Sequence, residues 1–289
     1  MEPHARRTLR RRLLRWYRAS ARRLPWRETR DPYAILVSEV MLQQTQVARV
    51  LPAYSSFLRR FPTLETLARA SLGDVLRAWA GLGYNRRAQH LHNIARSANG
   101  TLPRDAARLD ALPGIGAYTA GAVACFAHGA RGPFADTNVR RVLGRIVLGR
   151  VATEAEAVAI DAELMPRDAA PWHHALMDLG ATVCVSRAPR CARCPMQRSC
   201  RGCQEMTHAS TGGTARAPRA TRDTKELGQP FATSDRRVRG LIITLLRERD
   251  LTAVELGGAL DDDRVSSLVD RLVAEGLLER RGEYIGLPA

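Results

Sequence analysis

Long apolar runs are missing from this 289-residue sequence, and aromatic residues make up only 5% of it. No stretch approaches the roughly 20 consecutive apolar residues that a membrane-spanning helix needs. Residues 1–23 are basic but lack the continuous apolar segment of a secretion signal. An Arg-rich transit peptide is the alternative, but we favour a first helix with one apolar stripe, formed by Leu9, Leu13, Leu14 and Tyr17. We therefore expect a cytoplasmic protein without a membrane partner.

Strand alternation is equally scarce. Between Thr8 and Val183 the sequence reads as helix after helix, separated by turn signals that contain proline or glycine. A composition rich in Thr, Ala, Gly, Arg and Pro then predicts a flexible linker over residues 205–234. The rest, residues 235–289, is predicted as a β-hairpin preceded by three helices, over 238–247, 251–260 and 264–275. This order predicts a small winged-helix-like module, which would contact either DNA or another protein.

Acidic residues are the minority. Asp and Glu total 29 against 45 Lys and Arg, nearly all arginine, which gives a formal net charge of +16. Such an excess predicts a polyanionic partner, because neutralised phosphates release their counterions, and nucleic acid is the obvious candidate. A bacterial protein of this kind would be nucleoid-associated. A charge that serves solubility, or a coding bias towards arginine, would give the same balance.

The cysteines are few but clustered. Without an export signal we expect a reducing compartment, so the six cysteines do not predict disulfides. Four of them have the spacing C-x6-C-x2-C-x5-C, namely Cys184, Cys191, Cys194 and Cys200. Such a cluster predicts a metal site, and the spacing alone permits zinc or an iron–sulfur cluster. Cys125 is predicted to pack in the core and Cys203 to be a free thiol.

A tight turn at Leu112–Gly116 (LPGIG) joins two predicted helices. Its glycines, Gly114 and Gly116, can adopt positive φ and let the backbone approach another surface closely. The turn leads into the N-terminus of a helix of small residues, where free N–H groups offer a phosphate site. An ordinary helix connection would look the same. Asp136, 20 residues after Gly116, begins a further predicted helix and makes the turn more informative.

A single long helix is predicted over Pro32–Val50, and it places Glu39 among apolar residues. Apolar surroundings favour the neutral form of a glutamate, which can then act as a general acid near neutral pH. Periodicity alone favours a surface glutamate on an amphipathic helix. The stretch that contains it reads SEVMLQQTQV from Ser38 to Val47, and LPWR precedes it at Leu24–Arg27.

These motifs, with the LPGIG turn, Asp136 and the cysteine spacing, closely resemble MutY-type adenine glycosylases of the helix-hairpin-helix, or endonuclease III, superfamily. The match runs from about Leu24 to Cys200. It implies an all-α, two-lobed catalytic domain over residues 1–204. Residues 28–132 would form a helical barrel lobe, and residues 1–27 and 133–204 a lobe with a [4Fe-4S] cluster held by the four clustered cysteines.

The resemblance also implies roles for individual residues. Glu39 would protonate adenine, Asp136 would stabilise the developing sugar cation, and Asn138 would orient the aspartate and water. Tyr118 stands where strand-cutting relatives have lysine, so the enzyme would be monofunctional. Residues at the flipped base and its pocket would be Trp26, Arg27, Leu42, Gln43, Gln44, Val47, Tyr84 and His174, and the DNA backbone would meet Leu112, Gly114 and Gly116.

Two residues that differ from the family pattern, and one domain that the family usually has, bear on which base is removed. Asn85 replaces a second tyrosine, and His174 replaces an amide or acid of the relatives. The chain after the cysteines is too short for the Nudix-like domain that reads 8-oxoguanine in typical members. The implied function is excision of adenine opposite 8-oxoguanine or guanine in double-stranded DNA, by a monomer. The alternatives are a glycosylase with altered base choice, such as thymine, and a catalytically silent DNA-binding protein.

Overall fold

A computed structural model describes residues 2–205 and 231–289, which form two compact units. The first unit joins Met1–Pro32, Arg104–Ala107 and the described part of Gly116–Asp223. The second joins Tyr33–Pro103, Arg108–Ile115 and the described part of Thr224–Ala289. The predicted linker lies outside the described residues except at its two ends. No helix in the described ranges is long and apolar enough to cross a membrane.

The first unit is helical. Its helices are α1 (Pro3–Ser20), α8 (Ala117–His128), α9 (Thr137–Leu148), α10 (Glu154–Leu164), α11 (Ala169–Thr182) and α12, described over 201–205. Short 3-10 helices cover Pro25–Arg27, Cys191–Arg193 and Gln197–Ser199. The core forms where α9 and α11 pack together, with α1 and α10 against them. In the predicted stripe of α1, Leu9 and Leu13 are buried in this core, and Leu14 and Tyr17 are half-buried.

The second unit begins with six short or medium helices. They are α2 (Pro32–Leu42), α3 (Val47–Arg60), α4 (Leu64–Arg69), α5 (Leu72–Ala78), α6 (Arg86–Ser97) and α7 (Ala106–Asp110). Every residue of α2 from Tyr33 to Met41 is buried, so this helix is central and not amphipathic. The single helix predicted over Pro32–Val50 is wrong, because the chain leaves the helical path between Leu42 and Val47 and Gln44 has φ 54°.

Residues 231–289 form a small folded part of the second unit, which we call the C-terminal module. It contains a 3-10 turn (Phe231–Thr233), α13 (Asp235–Leu245), β1 (Leu251–Thr252), α14 (Ala253–Leu260), α15 (Val265–Ala274), β2 (Glu279–Arg281) and β3 (Tyr284–Gly286). The strands pair antiparallel in the order β1-β3-β2. This is a winged-helix-like arrangement. The helix predicted over 251–260 starts two residues later, because β1 comes first and Thr252 then caps α14.

The C-terminal module packs directly on α5 and α6. The Gly73 amide donates to the Pro288 carbonyl at 2.8 Å, and Gln89 Nε2 donates to the Glu275 carbonyl at 2.8 Å. Arg247 Nε donates to the carbonyl at the Leu76 position of α5 at 3.1 Å. All three bonds are accepted by backbone carbonyls, and the first joins two backbone groups, so the module is seated in one orientation on this part of the unit.

The contact at Gly73 predicts a stability change. A Cβ there would lie 2.6 Å from the Pro288 carbonyl oxygen, so Gly73→Ala should lower the free energy of unfolding by about 1–3 kcal/mol. Gly240 in α13 is a matched control: its Cβ would meet no atom within 4 Å, and Gly240→Ala should raise stability by about 0.5–1 kcal/mol. Urea unfolding measures both, and a Gly73→Ala variant as stable as wild type would contradict this packing.

Candidate functional site

Glu39 lies on α2 and is only 7% exposed. Its chain neighbours Ser38 and Val40 are also buried. The carboxyl group of Glu39 therefore has little access to water. Apart from Ser38 and Glu39, the buried part of this helix consists of apolar and aromatic residues.

The turn after α2 presents Gln43 and Gln44 to solvent, with Leu42 and Val47 half-buried beside them. The turn is held by Arg87 of α6, whose Nη1 donates to the carbonyls of both Val40 and Met41 at 2.9 Å. These carbonyls would otherwise be left unbonded where the helix ends. The guanidinium therefore acts as the C-terminal cap of α2.

Arg87 also holds a second turn. Its Nη2 donates to the carbonyls of Leu82 and Gly83 at 3.0 Å, and to Thr45 Oγ1 at 3.0 Å. Tyr84 lies at the tip of that turn with φ 48° and a 39% exposed side chain. Burial lowers the pKa of Arg87 to about 10, so it stays charged at neutral pH. One buried cation thus ties together the turns that expose Gln44 and Tyr84.

Asp136 is the N-cap of α9 in the first unit. One carboxylate oxygen accepts from the Val139 amide at 2.7 Å, and the other accepts from Asn138 Nδ2 at 2.8 Å. Asn138 is able to sit here because Gly180 of α11 lacks a side chain: a Cβ on Gly180 would lie 2.6 Å from the Asn138 Cβ. The aspartate is therefore fixed in orientation by a backbone amide and a side-chain amide.

Arg141 extends this arrangement to the cysteine loop. Its Nη2 donates to Asn138 Oδ1 at 2.7 Å, and its Nε donates to the carbonyl of Cys184 at 2.7 Å. Burial lowers its pKa, although Arg141 remains an arginine far from its deprotonation range. A continuous chain of hydrogen bonds therefore runs from the first cysteine of the loop to Asp136.

The LPGIG turn and Tyr118 flank the start of α8. Gly114 has φ 91°, and a Cβ there would meet His90 at 2.9 Å, so glycine is required. Gly116 is instead extended, with φ −107°, and is the exposed N-cap of α8. Leu112 is half-buried. Tyr118, also half-buried, packs edge-on against Phe134 with ring centroids 5.7 Å apart.

The predicted pocket residues of the first unit surround a buried ion pair. Trp26 is 6% exposed. Arg27 donates two parallel hydrogen bonds to Asp178, at 2.9 and 2.8 Å, and Arg22 Nε donates to the same carboxylate at 2.6 Å. Burial alone would raise the pKa of Asp178, but the hydrogen bonds and charge of Arg27 hold it below its ordinary value. Arg27 therefore fastens the LPWR segment to α11.

His174 completes this region. Its ring stacks on Phe126 at a centroid distance of 4.2 Å and lies 6.4 Å from the Tyr17 ring. Burial and the positive charge of Arg27 lower the pKa of His174 to about 3. The imidazole is consequently neutral in the working pH range and can offer one donor and one acceptor.

Sequence reasoning missed a second buried network, centred on Asp161. This fully buried carboxylate accepts from Trp172 Nε1 at 2.7 Å and lies 2.8 Å from His173 Nε2. It also accepts from the Phe134 amide at 3.3 Å, two residues before Asp136. A charged residue within a helical stretch was the signal that the sequence offered for Asp161. The network could not be found from it, because the partners of Asp161 lie 11, 12 and 27 residues away in the chain.

The four clustered cysteines face one cavity in the first unit. The cavity is also lined by apolar residues of α9 and α11 and by Cys203. Burial raises the pKa of Cys191 to about 11 and that of Cys194 to about 12, as expected for crowded thiols in apolar surroundings. Four soft sulfur ligands facing one cavity, which Arg145 and Gln197 also line, fit an iron–sulfur cluster. All six cysteines are free of disulfides in the structure.

The predicted site residues thus fall into two groups. The second unit holds Glu39, Leu42, Gln43, Gln44, Val47, Tyr84, Leu112 and Gly114. The first unit holds Trp26, Arg27, Gly116, Tyr118, Asp136, Asn138, His174 and the four cysteines. The sequence did not single out two arginines near these residues. Arg87 is buried and bonds to the turns that carry Gln44 and Tyr84. Arg141 is half-buried and bonds to Asn138 and to the carbonyl of Cys184.

Comparison with known proteins defines the class. Residues 37–167 match the family described as HhH-GPD superfamily base excision DNA repair protein. A solved structure of a thermostable thymine-DNA glycosylase has a TM-score of 0.65 and 29% identity, and the match covers 69% of this chain and 97% of that one. The protein is therefore a helix-hairpin-helix protein of the base excision repair superfamily, a DNA-binding class, and the predicted helical fold is confirmed.

Curated relatives narrow the assignment. Adenine DNA glycosylase of Mycobacterium tuberculosis is 44% identical over 283 residues, which cover 93% of this chain and 89% of that protein. The human adenine DNA glycosylase is 40% identical over 215 residues, covering 67% of this chain and 39% of its own length. The chain belongs to the adenine DNA glycosylase family, and the resemblance found in the sequence is confirmed.

The environment of His174 predicts a pH effect on stability. In the unfolded chain a histidine has a pKa of about 6.5, so between that pH and about 3 the unfolded state binds one more proton than the folded state. The stability that neutral His174 contributes is present above pH 6.5 and is lost as the pH falls. His174→Gln should remove a slope of about 1.4 kcal/mol per pH unit between pH 4.5 and 6. Urea unfolding at several pH values tests this, and parallel wild-type and variant curves would refute it.

Proposed function

We propose that this protein removes adenine from double-stranded DNA where adenine stands opposite 8-oxoguanine or guanine, and that it acts as a monomer. The observation that carries the proposal is the fixed Asp136 carboxylate, bonded to Val139 and Asn138 at the start of α9. The relatives named adenine DNA glycosylase support the choice of base. A DNA substrate would place the protein with the chromosome.

The chemistry needs two carboxyl groups in different environments. Buried Glu39 would start as the neutral acid and protonate N7 of adenine, which makes the base a better leaving group. Asp136 would stabilise the cationic sugar that develops as the glycosidic bond breaks. Asn138 and the Val139 amide each engage one Asp136 oxygen, so the carboxylate would be held in a fixed orientation for this role. Each such role is typically worth about 10²–10⁴ in rate.

Base removal would leave the DNA strand intact. Strand cleavage by related enzymes needs an amine that forms an imine with the opened sugar, and Tyr118 offers only a phenol. The turn with Leu112, Gly114 and Gly116 would bind the DNA backbone, because the exposed N-terminus of α8 presents free amide groups. The product would then be an abasic site.

The base must leave the duplex to reach Glu39, so we infer base flipping. Gln44 and Tyr84, exposed on the two turns that Arg87 holds, would fill the vacated stack, with Gln43 beside them. Trp26, Leu42, Val47 and His174 are the residues that we propose contact the adenine. Because the guanidinium of Arg27 is engaged with Asp178, we propose that Arg27 positions its own segment and does not contact the base.

A [4Fe-4S] cluster held by Cys184, Cys191, Cys194 and Cys200 would supply structural support for the loop and, through Arg141 and Asn138, for Asp136. Base hydrolysis itself involves no electron transfer, so no redox step is assigned. The arginine-rich loop around these cysteines would add contacts to phosphates.

Thymine opposite guanine is the second candidate substrate. The solved thymine-DNA glycosylase at 29% identity favours it, and Tyr118 is compatible with it. Glu39 argues for adenine, since thymine has no N7 to protonate. The two functions therefore differ in whether a buried acid is needed.

Replacement of Asp136 tests the catalytic assignment. Asp136→Asn should keep the hydrogen bond from Val139 but remove the charge, and should lower single-turnover adenine excision by about 10²–10⁴ with duplex binding unchanged. Asp168→Asn is the matched control, because Asp168 is also a helix N-cap of the first unit but is exposed and caps no amide. A control that loses activity equally, or an Asp136→Asn variant that keeps it, would contradict the assignment.

Replacement of one cysteine tests the cluster. Cys194→Ser should lose the bound iron and sulfide and the visible absorption of the purified protein, and should lower its melting temperature. Cys203→Ser is the control, because Cys203 lines the same cavity but lies outside the four-cysteine spacing. Stoichiometric zinc in place of iron, or iron loss in both variants, would overturn the proposed ligand set.

A further inference from the structure

Five planar side chains form a continuous column in the second unit. The guanidinium of Arg87 lies 5.5 Å from the ring of Trp79 and 5.5 Å from that of Tyr84. On the other side of Tyr84, the guanidinium of Arg236 lies 5.1 Å from the tyrosine ring and 5.0 Å from the ring of Phe231. Aromatic rings and cations therefore alternate from the core to the surface.

The outer half of the column comes from the C-terminal module. Trp79 is fully buried, Tyr84 is 39% exposed and Phe231 is 59% exposed. Arg236 is exposed and also donates to the Tyr84 hydroxyl. The rings on the two faces of this exposed guanidinium leave apolar surface open to solvent beside a positive charge.

The contacts of Arg236 differ from those of its neighbours. Arg239 pairs with Glu275, Arg264 with Asp262, and Arg280 with Asp270. Even Asp235, next in the chain to Arg236, is used by other arginines of the module. Within the described ranges, the guanidinium of Arg236 instead lies over the rings of Tyr84 and Phe231. Its charge is therefore not neutralised by the ion pairs that stabilise the module.

Arg236 is also not what seats the module. The bonds of the Gly73 amide, the Leu76 carbonyl and the Gln89 side chain already do so, and Arg247 adds a bond to the Asn85 side chain at 3.3 Å. Asn85 stands where the family usually has a second tyrosine. This chain thus has asparagine in place of that second tyrosine, while Arg236 and Phe231 of the C-terminal module extend the column at Tyr84.

The third helix of the module, α15, is poorly suited to contact bases in a groove of the DNA duplex. Its exposed face carries Asp270 and Arg271, which are bonded to Arg280 and Asp235 within the module. Its end is turned to α6, where Glu275 pairs with Arg86 at 3.4 Å. The surface with free cationic and aromatic character is at the start of α13, beside Tyr84.

We propose that Arg236 and Phe231 join Tyr84 in one composite surface that contacts DNA at the unpaired position, so that the C-terminal module is part of the lesion-binding site. Guanidinium planes and aromatic rings stack on exposed bases, and the guanidinium also binds phosphate or a guanine edge. The inference rests on the proposed placement of Tyr84 at the opened base stack.

The test is a ratio of two affinities for the full-length protein. One duplex carries a tetrahydrofuran abasic analogue opposite 8-oxoguanine, and the other is a fully paired duplex of the same length. Arg236→Ala and Phe231→Ala should lower the ratio of lesion to paired affinity by about tenfold. Arg249→Ala, a charge loss at another exposed arginine of the module, should leave the ratio within about twofold of wild type.

The ratio separates the proposal from its alternatives. A ratio unchanged in both variants would overturn it and leave Arg236 as a contact between parts of the protein. Arg236→Lys keeps the charge but not the planar group, so it should behave like Arg236→Ala, and full retention by lysine would refute stacking. Because binding needs no turnover, a wild-type protein that prefers the lesion but releases no adenine would sink the proposed function and leave this inference standing.

Discussion

The buried guanidinium of Arg87 is the interaction on which the second unit depends most. It caps the carbonyl end of α2 and binds the carbonyls of Leu82 and Gly83, so two loops far apart in the chain share one cation. Removing it would leave several backbone acceptors buried without donors, each a penalty of about 1–3 kcal/mol. The positive φ values of Gln44 and Tyr84 are maintained by this arrangement.

The first unit repeats the principle with different partners. Arg141 bonds to the carbonyl of Cys184 in the cysteine loop and to Asn138, and Asp178 of α11 bonds to Arg22 and Arg27 of the N-terminal segment. In each case a buried or half-buried charge is tolerated because several hydrogen-bond partners surround it. Several residues proposed for chemistry are therefore positioned by polar networks around them. The loss of one network member would change the orientation of Asp136 or of the segment that carries Trp26 and Arg27.

Sequence reasoning predicted what is local and missed what is distant. The helices, the wing hairpin and the capping aspartate follow from periodicity, turn residues and spacing. The break after Leu42 could not be found, because QQTQ contains no glycine or proline and the cause, Arg87, lies over 40 residues later. The Asp161 network was missed for the same reason. Roles in chemistry came from a resemblance to a family, since neither burial nor spacing of Glu39 distinguishes an acid from a structural glutamate.

The most direct measurement is single-turnover base release by the wild-type protein. Labelled duplexes with adenine opposite 8-oxoguanine, adenine opposite guanine and thymine opposite guanine would each be analysed with and without alkali. The account predicts release of adenine, fastest opposite 8-oxoguanine, with strand breaks that appear only after alkali. Release of thymine, or strand breaks without alkali, would contradict the roles assigned to Glu39 and Tyr118.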